Sequence, residues 1–167
     1  MPAVTEHDTH AGGLQPRREP CGRGGDGDVS DRRRVTWTEI RRVEFPCHMV
    51  YDDAHVFAFL DIIPRCPGHT PVIPKAAARN ILDITAEDYA HVARGAHRIA
   101  AAAMKAFKAD GITVQQFSEP AGGQVVFHLH MHVMPRHDGI ALLPPASRRE
   151  DVKVLEDNAT RLVAALG

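Results

Sequence analysis

The chain predicts an α+β fold in which an antiparallel sheet of about five strands packs against one long helix and a C-terminal helix. Three patterns carry that expectation. Short apolar runs joined by Asp, Gly and Pro follow one another without the strand–helix–strand rhythm of a parallel sheet. The stretch from Thr85 to about Ala109 is long, rich in alanine and free of proline, with Val92, Ile99, Met104 and Phe107 at helix-compatible positions. Phe127-His128-Leu129-His130-Met131-His132-Val133-Met134 alternates histidine with apolar residues at a period of two, which is strand periodicity.

Taken in order, residues 1–34 read as a disordered tail, rich in Gly, Pro, Arg and Asp with few large apolar side chains, and residues 35–167 as the folded domain. Thr36 to Arg42 is compatible with a short helix. Met49–Tyr51 and Val56–Asp61 read as strands with a hairpin turn at Asp52-Asp53, and His69–Ile73 as a further strand ending at Pro74. Thr85 can cap the long helix, whose first turn carries Glu87 and Asp88, and Asp110-Gly111 supplies a stop. Ile112–Phe117 reads as a strand, Glu119 to Gly123 as a turn, and Phe127–Met134 as the last strand. Ser147-Arg148-Arg149-Glu150 matches a capping box that opens a final helix to about Ala165.

Composition narrows the classes. A net charge of −1 over 167 residues argues against a general nucleic-acid footprint, because the N-terminal arginines are interspersed with acids. Three cysteines without a C-x-x-C pair indicate neither a disulfide framework nor a cysteine zinc site. The sequence shows no apolar run of about 18 residues and no secretory or transit pattern, so a cytoplasmic protein is the expectation.

On a strand, His128, His130 and His132 would line one surface at a spacing of about 6.5–7 Å while Phe127, Leu129, Met131 and Val133 enter a core. Three imidazoles on one face serve chemistry better than stability: imidazole carries protons near neutral pH, attacks phosphorus and ligates metals. Just upstream, Gly122-Gly123-Gln124 lets a backbone approach a ligand and offer amides to phosphate oxygens. Together these features point to phosphoryl or nucleotidyl transfer.

Gly123 to Arg136 resembles the signature of the histidine triad (HIT) family of nucleotide hydrolases and transferases, in which three histidines are separated by single apolar residues. Val50-Tyr51-Asp52-Asp53, Ala58-Phe59-Leu60-Asp61-Ile62 and Pro67-Gly68-His69-Thr70-Pro71-Val72-Ile73-Pro74-Lys75 resemble further family blocks in family order. The resemblance, spanning roughly Trp37 to His137, implies a HIT-like fold, a homodimer and a reaction at the α-phosphorus of nucleoside phosphoramidates or dinucleoside polyphosphates. His130 would attack as nucleophile, and water would then release a nucleoside monophosphate, AMP being the expected product. It further implies that His132 lies beside the phosphate and leaving group, with His128 and His69 completing a polar relay. Asp61 would hold the ribose hydroxyls, and Trp37, Ile40 and Phe59 would line the base site, although each of the three also suits a plain core. Gly123 and Gln124 would face the phosphate.

The chain departs from the family pattern in places. Phe117-Ser118-Glu119 stands where members commonly have asparagine, leaving Ser118 as the available polar replacement, and Val125 stands where many have a hydroxyl. Some bacterial members hold a structural zinc at positions matching Val35, Thr38, His128 and Ala77; three of these cannot ligate, so neither that zinc nor another cofactor is expected. Two alternatives stay open: a metal hydrolase with the three strand histidines as ligands, and a nucleotide-binding regulatory protein with little turnover.

Overall fold

The structure, a computed structural model, describes residues 48–167; the tail, the Thr36–Arg42 helix and the positions of Trp37 and Ile40 lie outside the described residues. Five strands, β1 (Met49–Asp52), β2 (Val56–Phe59), β3 (Thr70–Pro74), β4 (Gly111–Gln116) and β5 (Met131–Arg136), form one antiparallel sheet in the order β1-β2-β3-β5-β4. Helix α1 (Ala86–Phe107) joins β3 to β4, and α2 (Val152–Leu166) closes the chain. This is the α+β architecture expected from the sequence.

Local chemistry explains most boundaries. Asp53 turns the β1–β2 hairpin by accepting the amides of His55 and Val56, both at 2.8 Å. Thr85 caps α1 by accepting the Asp88 amide at 3.0 Å. The helix ends earlier than Asp110-Gly111 suggests: Lys108 adopts the left-handed conformation, its amide returning to the helix carbonyls, and Gly111 already opens β4. The capping box at Ser147–Glu150 is not used. Asp151 caps α2, accepting the Lys153 amide at 2.8 Å, because the Glu150 amide is tied to the Ile62 carbonyl and holds that segment against the preceding loop.

One face of the sheet is covered. Helix α1 turns Val92, Ala96, Ile99, Ala103 and Phe107 toward Val56, Ala58, Val72, Met131 and Val133, and α2 adds Leu155 and Leu162. Each fully buried aliphatic side chain in this layer contributes about 1.5–3 kcal/mol of transfer free energy. Period-two alternation leaves the partner residues on the helix-free face, and register aligns them. Gln115 of β4 pairs with His132 of β5, which pairs with Pro71 of β3, while Ile73 pairs with Phe57 of β2.

The histidine segment is shorter as a strand than its alternation predicts. Ladder pairing begins at Met131, so His132 lies within β5 and His128 and His130 precede it. Pro74 has no amide hydrogen to continue the β3–β5 ladder, and the Leu129 amide goes instead to the Ala78 carbonyl at 2.8 Å. Alternation survives without the ladder for Leu129, Met131 and Val133, which are buried. Phe127 does not join that core: it is half-buried, with the Arg79 guanidinium 4.4 Å from its ring centroid.

Gly68 locks the loop before β3 onto the end of α1. Its φ is +78°, and a Cβ there would lie 2.3 Å from Cε2 of Phe107. Gly68→Ala is therefore expected to destabilise the fold by about 2–4 kcal/mol through combined backbone strain and overpacking, read as a fall in the urea midpoint. A loss under about 0.5 kcal/mol would show that the loop is not held as described.

Candidate active site

The helix-free face carries two adjoining cavities. The smaller, about 210 Å³, is walled by Phe59, Pro71 and Ile73 and reaches Asp61, His128, His130 and His132. The larger, about 550 Å³, extends from the same His130, His132 and Asp61 toward Arg65, Gln115 and Phe117, with Pro145 and Ala146 completing its wall. His130 and His132 thus line both cavities and stand where the two meet.

Hydrogen bonds set the tautomers. Nδ1 of His130 lies 2.7 Å from the His128 carbonyl oxygen, which can only accept, so Nδ1 carries a proton and, in the neutral ring, Nε2 keeps its lone pair. His130 therefore presents a nucleophilic nitrogen. Its ring stands edge-on to His132, with centroids 4.7 Å apart and planes at 88°.

His69, from the loop before β3, bonds His132 directly, Nε2 to Nδ1 at 2.8 Å. The Arg65 amide donates to Nδ1 of His69 at 3.2 Å, so in the neutral ring Nε2 holds the proton and donates it to His132. The remaining nitrogen of His132, Nε2, then carries a hydrogen. Oδ2 of Asp61 lies 3.3 Å from the same Nδ1 of His69, a contact that becomes attractive when that nitrogen takes a proton. The opposite tautomer, with His69 donating to Asp61 and accepting from His132, is thus within reach, and the pair forms a proton relay.

Burial sets the charge state. Desolvation first, then the Arg65 guanidinium and the nearby His130 ring, lower the pKa of His69 to about 4. Desolvation, followed by His130, His69 and Arg65, lowers that of His132 to about 3. Desolvation raises the carboxyl pKa of Asp61, opposed by the Ile63 amide, which it accepts at 2.8 Å.

The structure brings together His69, Asp61, Phe59, His130 and His132 as the sequence suggests, with His128 buried beside them. His128 places its ring Nε2 3.0 Å from the Pro74 carbonyl oxygen and lends its own carbonyl to His130. Gly123, at φ +89°, lines the larger cavity. Gln124 and Ser118 line neither cavity. The Gln124 amide is saturated: its oxygen accepts from Asn80 and from the Glu119 amide, and its nitrogen donates to the Arg79 and Val126 carbonyls. It therefore braces the glycine loop rather than facing the phosphate side. Ser118 is hydrogen-bonded to Gln116.

Sequence reasoning missed Arg65, Gln115, Phe117, Pro71 and Ile73. Strand alternation could have placed the last two opposite the core residue Val72, but nothing local marks Arg65 or Gln115. The metal alternative also changes shape. Among the described residues the ligand atoms that converge, all within 4.8 Å of one another, belong to Asp61, His69 and His132, not to the three strand histidines. A cation held there would have to replace the His69–His132 hydrogen bond and sit beside Arg65, so the donor set suits proton relay better than metal.

The depressed imidazoles link stability to pH. Below about 6.5 an unfolded chain protonates both rings, whereas the folded protein keeps His69 neutral to about 4 and His132 to about 3. The unfolded state binds more protons in that window, so stability falls as pH drops from about 6.5 toward 4; Asp61 opposes this only once pH enters the carboxylate range. Denaturation midpoints measured from pH 8 to 4 should therefore decline for the wild type and decline less for His132→Gln. Identical slopes would show that His132 is not held neutral.

Comparison with known proteins identifies the family. The HIT domain model matches residues 42–139. An uncharacterised HIT-like protein of Saccharolobus solfataricus is 40% identical over 88 residues, 53% of this chain and 63% of that protein, so the match spans just under two thirds of this relative's length. The adenylylsulfatase HINT3 of Arabidopsis thaliana is 28% identical over 165 residues, 92% of this chain and 84% of the relative. Among solved structures, a HIT-like protein of Bartonella henselae superposes with a TM-score of 0.72 at 47% identity, covering 76% of this chain and 92% of that one. A zinc-bound histidine triad protein of Mycobacterium smegmatis gives 0.64 at 36% identity, covering 73% and 85%. With the domain model matched across more than half of its length and a histidine-lined sheet face of the corresponding fold, the chain belongs to the HIT family.

Proposed function

We propose that the protein hydrolyses nucleoside phosphoramidates, dinucleoside polyphosphates or related mixed anhydrides at the α-phosphorus, through a nucleotidyl-histidine on His130. The observation that carries this reading is the His130 tautomer: Nδ1–H is spent on the His128 carbonyl, which leaves Nε2 for attack, and the His130 residue lines both cavities with His132. Attack by that lone pair forms a phosphorus–nitrogen bond as the bond to the leaving group breaks. Water then displaces the imidazole, releasing the monophosphate and giving up one proton. His132, neutral and carrying a hydrogen on Nε2, is suited to donate to a phosphoryl oxygen as charge builds there.

The smaller cavity fits the nucleoside. Phe59, Pro71 and Ile73 offer apolar walls for a base, and the Asp61 carboxylate at its edge can accept from ribose hydroxyls. Trp37 and Ile40 remain candidates for the same base site by sequence alone. Among the described residues no helix is long and apolar enough to cross a membrane. A cytoplasmic setting and a homodimer belong to the same reading; for the dimer, edge strand β4 offers Val114, 49% exposed.

AMP release from adenosine 5′-phosphoramidate and from a diadenosine polyphosphate tests the proposal. The wild type should turn over at least one of them, and His130→Ala should lose about a thousandfold or more in kcat. Rapid acid quench should trap AMP on the wild-type protein and not on the variant. AMP binding without turnover would sink the hydrolase reading in favour of a nucleotide-binding protein.

A further inference from the structure

The two cavities meeting at His130 and His132 differ in one respect that bears on substrate choice. The larger is lined by Arg65, a half-buried cation, and contains a single carboxylate, Asp61, at its border with the smaller. Arg65 is fixed by the fold rather than by an acid. Its Nε donates to the Leu143 carbonyl at 2.9 Å, while the Leu143 amide returns to the Arg65 carbonyl at 2.8 Å. Its Nη1 approaches Oε1 of Gln115 at 3.4 Å. Among the described residues no carboxylate pairs with it. A guanidinium has five N–H groups, and these contacts occupy two.

Gln115 stands beside it for a reason of register. It pairs across the sheet with His132, so its side chain shares the helix-free face with the relay. Its oxygen is turned toward Arg65, and its amide nitrogen makes no hydrogen bond among the described residues. A pre-positioned guanidinium with no carboxylate partner among the described residues, and with an adjacent amide donor, suits a multi-oxygen anion.

Resting on the nucleotidyl-transfer reading, we propose that Arg65, with Gln115, binds the leaving group, and that the preferred substrates are nucleoside mixed anhydrides whose leaving group is a sulfate or phosphate oxyanion rather than an amine. When His130 Nε2 bonds to the α-phosphorus, the bridging phosphorus–oxygen bond breaks and its electron pair departs on the oxyanion, which needs no proton. A nitrogen leaving group must instead gain a proton as the phosphorus–nitrogen bond breaks. His69 and His132, with pKa values lowered to about 4 and about 3 chiefly by desolvation, are poorly charged reservoirs for that proton near pH 7. The same Arg65 charge that attracts an oxyanion helps keep both rings neutral.

The test compares kcat/KM for adenosine 5′-phosphosulfate and adenosine 5′-phosphoramidate in the wild type, Arg65→Gln and Arg65→Lys. The wild type should favour the phosphosulfate. Arg65→Gln should shrink that preference by about tenfold to a hundredfold, the scale of a lost charge-assisted hydrogen bond, with Arg65→Lys in between. Inorganic sulfate added with AMP should raise the melting temperature of the wild type and not that of Arg65→Gln. A wild type that favours the phosphoramidate, or an equal loss of both activities in Arg65→Gln, overturns the assignment while leaving nucleotidyl transfer standing. Absence of turnover on both substrates, with no AMP trapped on His130, overturns the nucleotidyl-transfer reading itself and this assignment with it.

Discussion

The site depends on a short stretch of antiparallel pairing between β3 and β5, in which Thr70, Pro71 and Val72 meet Val133, His132 and Met131. That ladder brings the end of the Pro67-Gly68-His69 loop within hydrogen-bond reach of a strand more than sixty residues away, and the His69–His132 bond spans the join. A one-residue slip would turn His132 into the helical layer and present Val133 to the cavities. The packing of Val72, Met131 and Val133 under α1 resists such a slip, because it would exchange buried apolar side chains for an imidazole. Core stability and the geometry of the candidate site are thus the same register seen from two faces.

Burial does the electrostatic work. In an open strand the imidazoles would titrate near their ordinary value; here His69 is 2% exposed and both it and His132 are kept neutral. Neutral rings joined nitrogen to nitrogen have defined tautomers, and the Arg65 amide and the His128 carbonyl select them. The outcome is a division of labour among chemically identical side chains: a lone pair on His130, a hydrogen on His132, and a relay through His69 toward Asp61. Acid sensitivity is the accompanying cost, since both relay rings resist protonation that the unfolded chain accepts.

Much of this was legible before folding. The hairpin at Asp52-Asp53, the Thr85 cap and the alternation of Leu129, Met131 and Val133 rest on local chemistry, and each is observed. Local signals failed where a distant partner took over. The Ser147–Glu150 box lost to Asp151 because the Glu150 amide bonds Ile62, and the histidine strand is cut short because Pro74 offers no hydrogen. Gln124 read as a phosphate contact, yet Asn80, Arg79 and Glu119 consume its amide.

By itself the sequence determined the residue types and their alternation: which strand faces could be buried, where helices start, and that three histidines share one alternating run suited to proton, phosphorus or metal chemistry. These follow from periodicity, capping and side-chain reactivity, which act over a few residues. Only the tertiary structure decided which nitrogen of each histidine holds a proton, that Gln124 is a brace, and that Arg65 and Gln115 share a cavity with the relay. Those outcomes depend on contacts between segments as far apart as Arg65 and Leu143, and on desolvation, which exists only once the chain has closed around them.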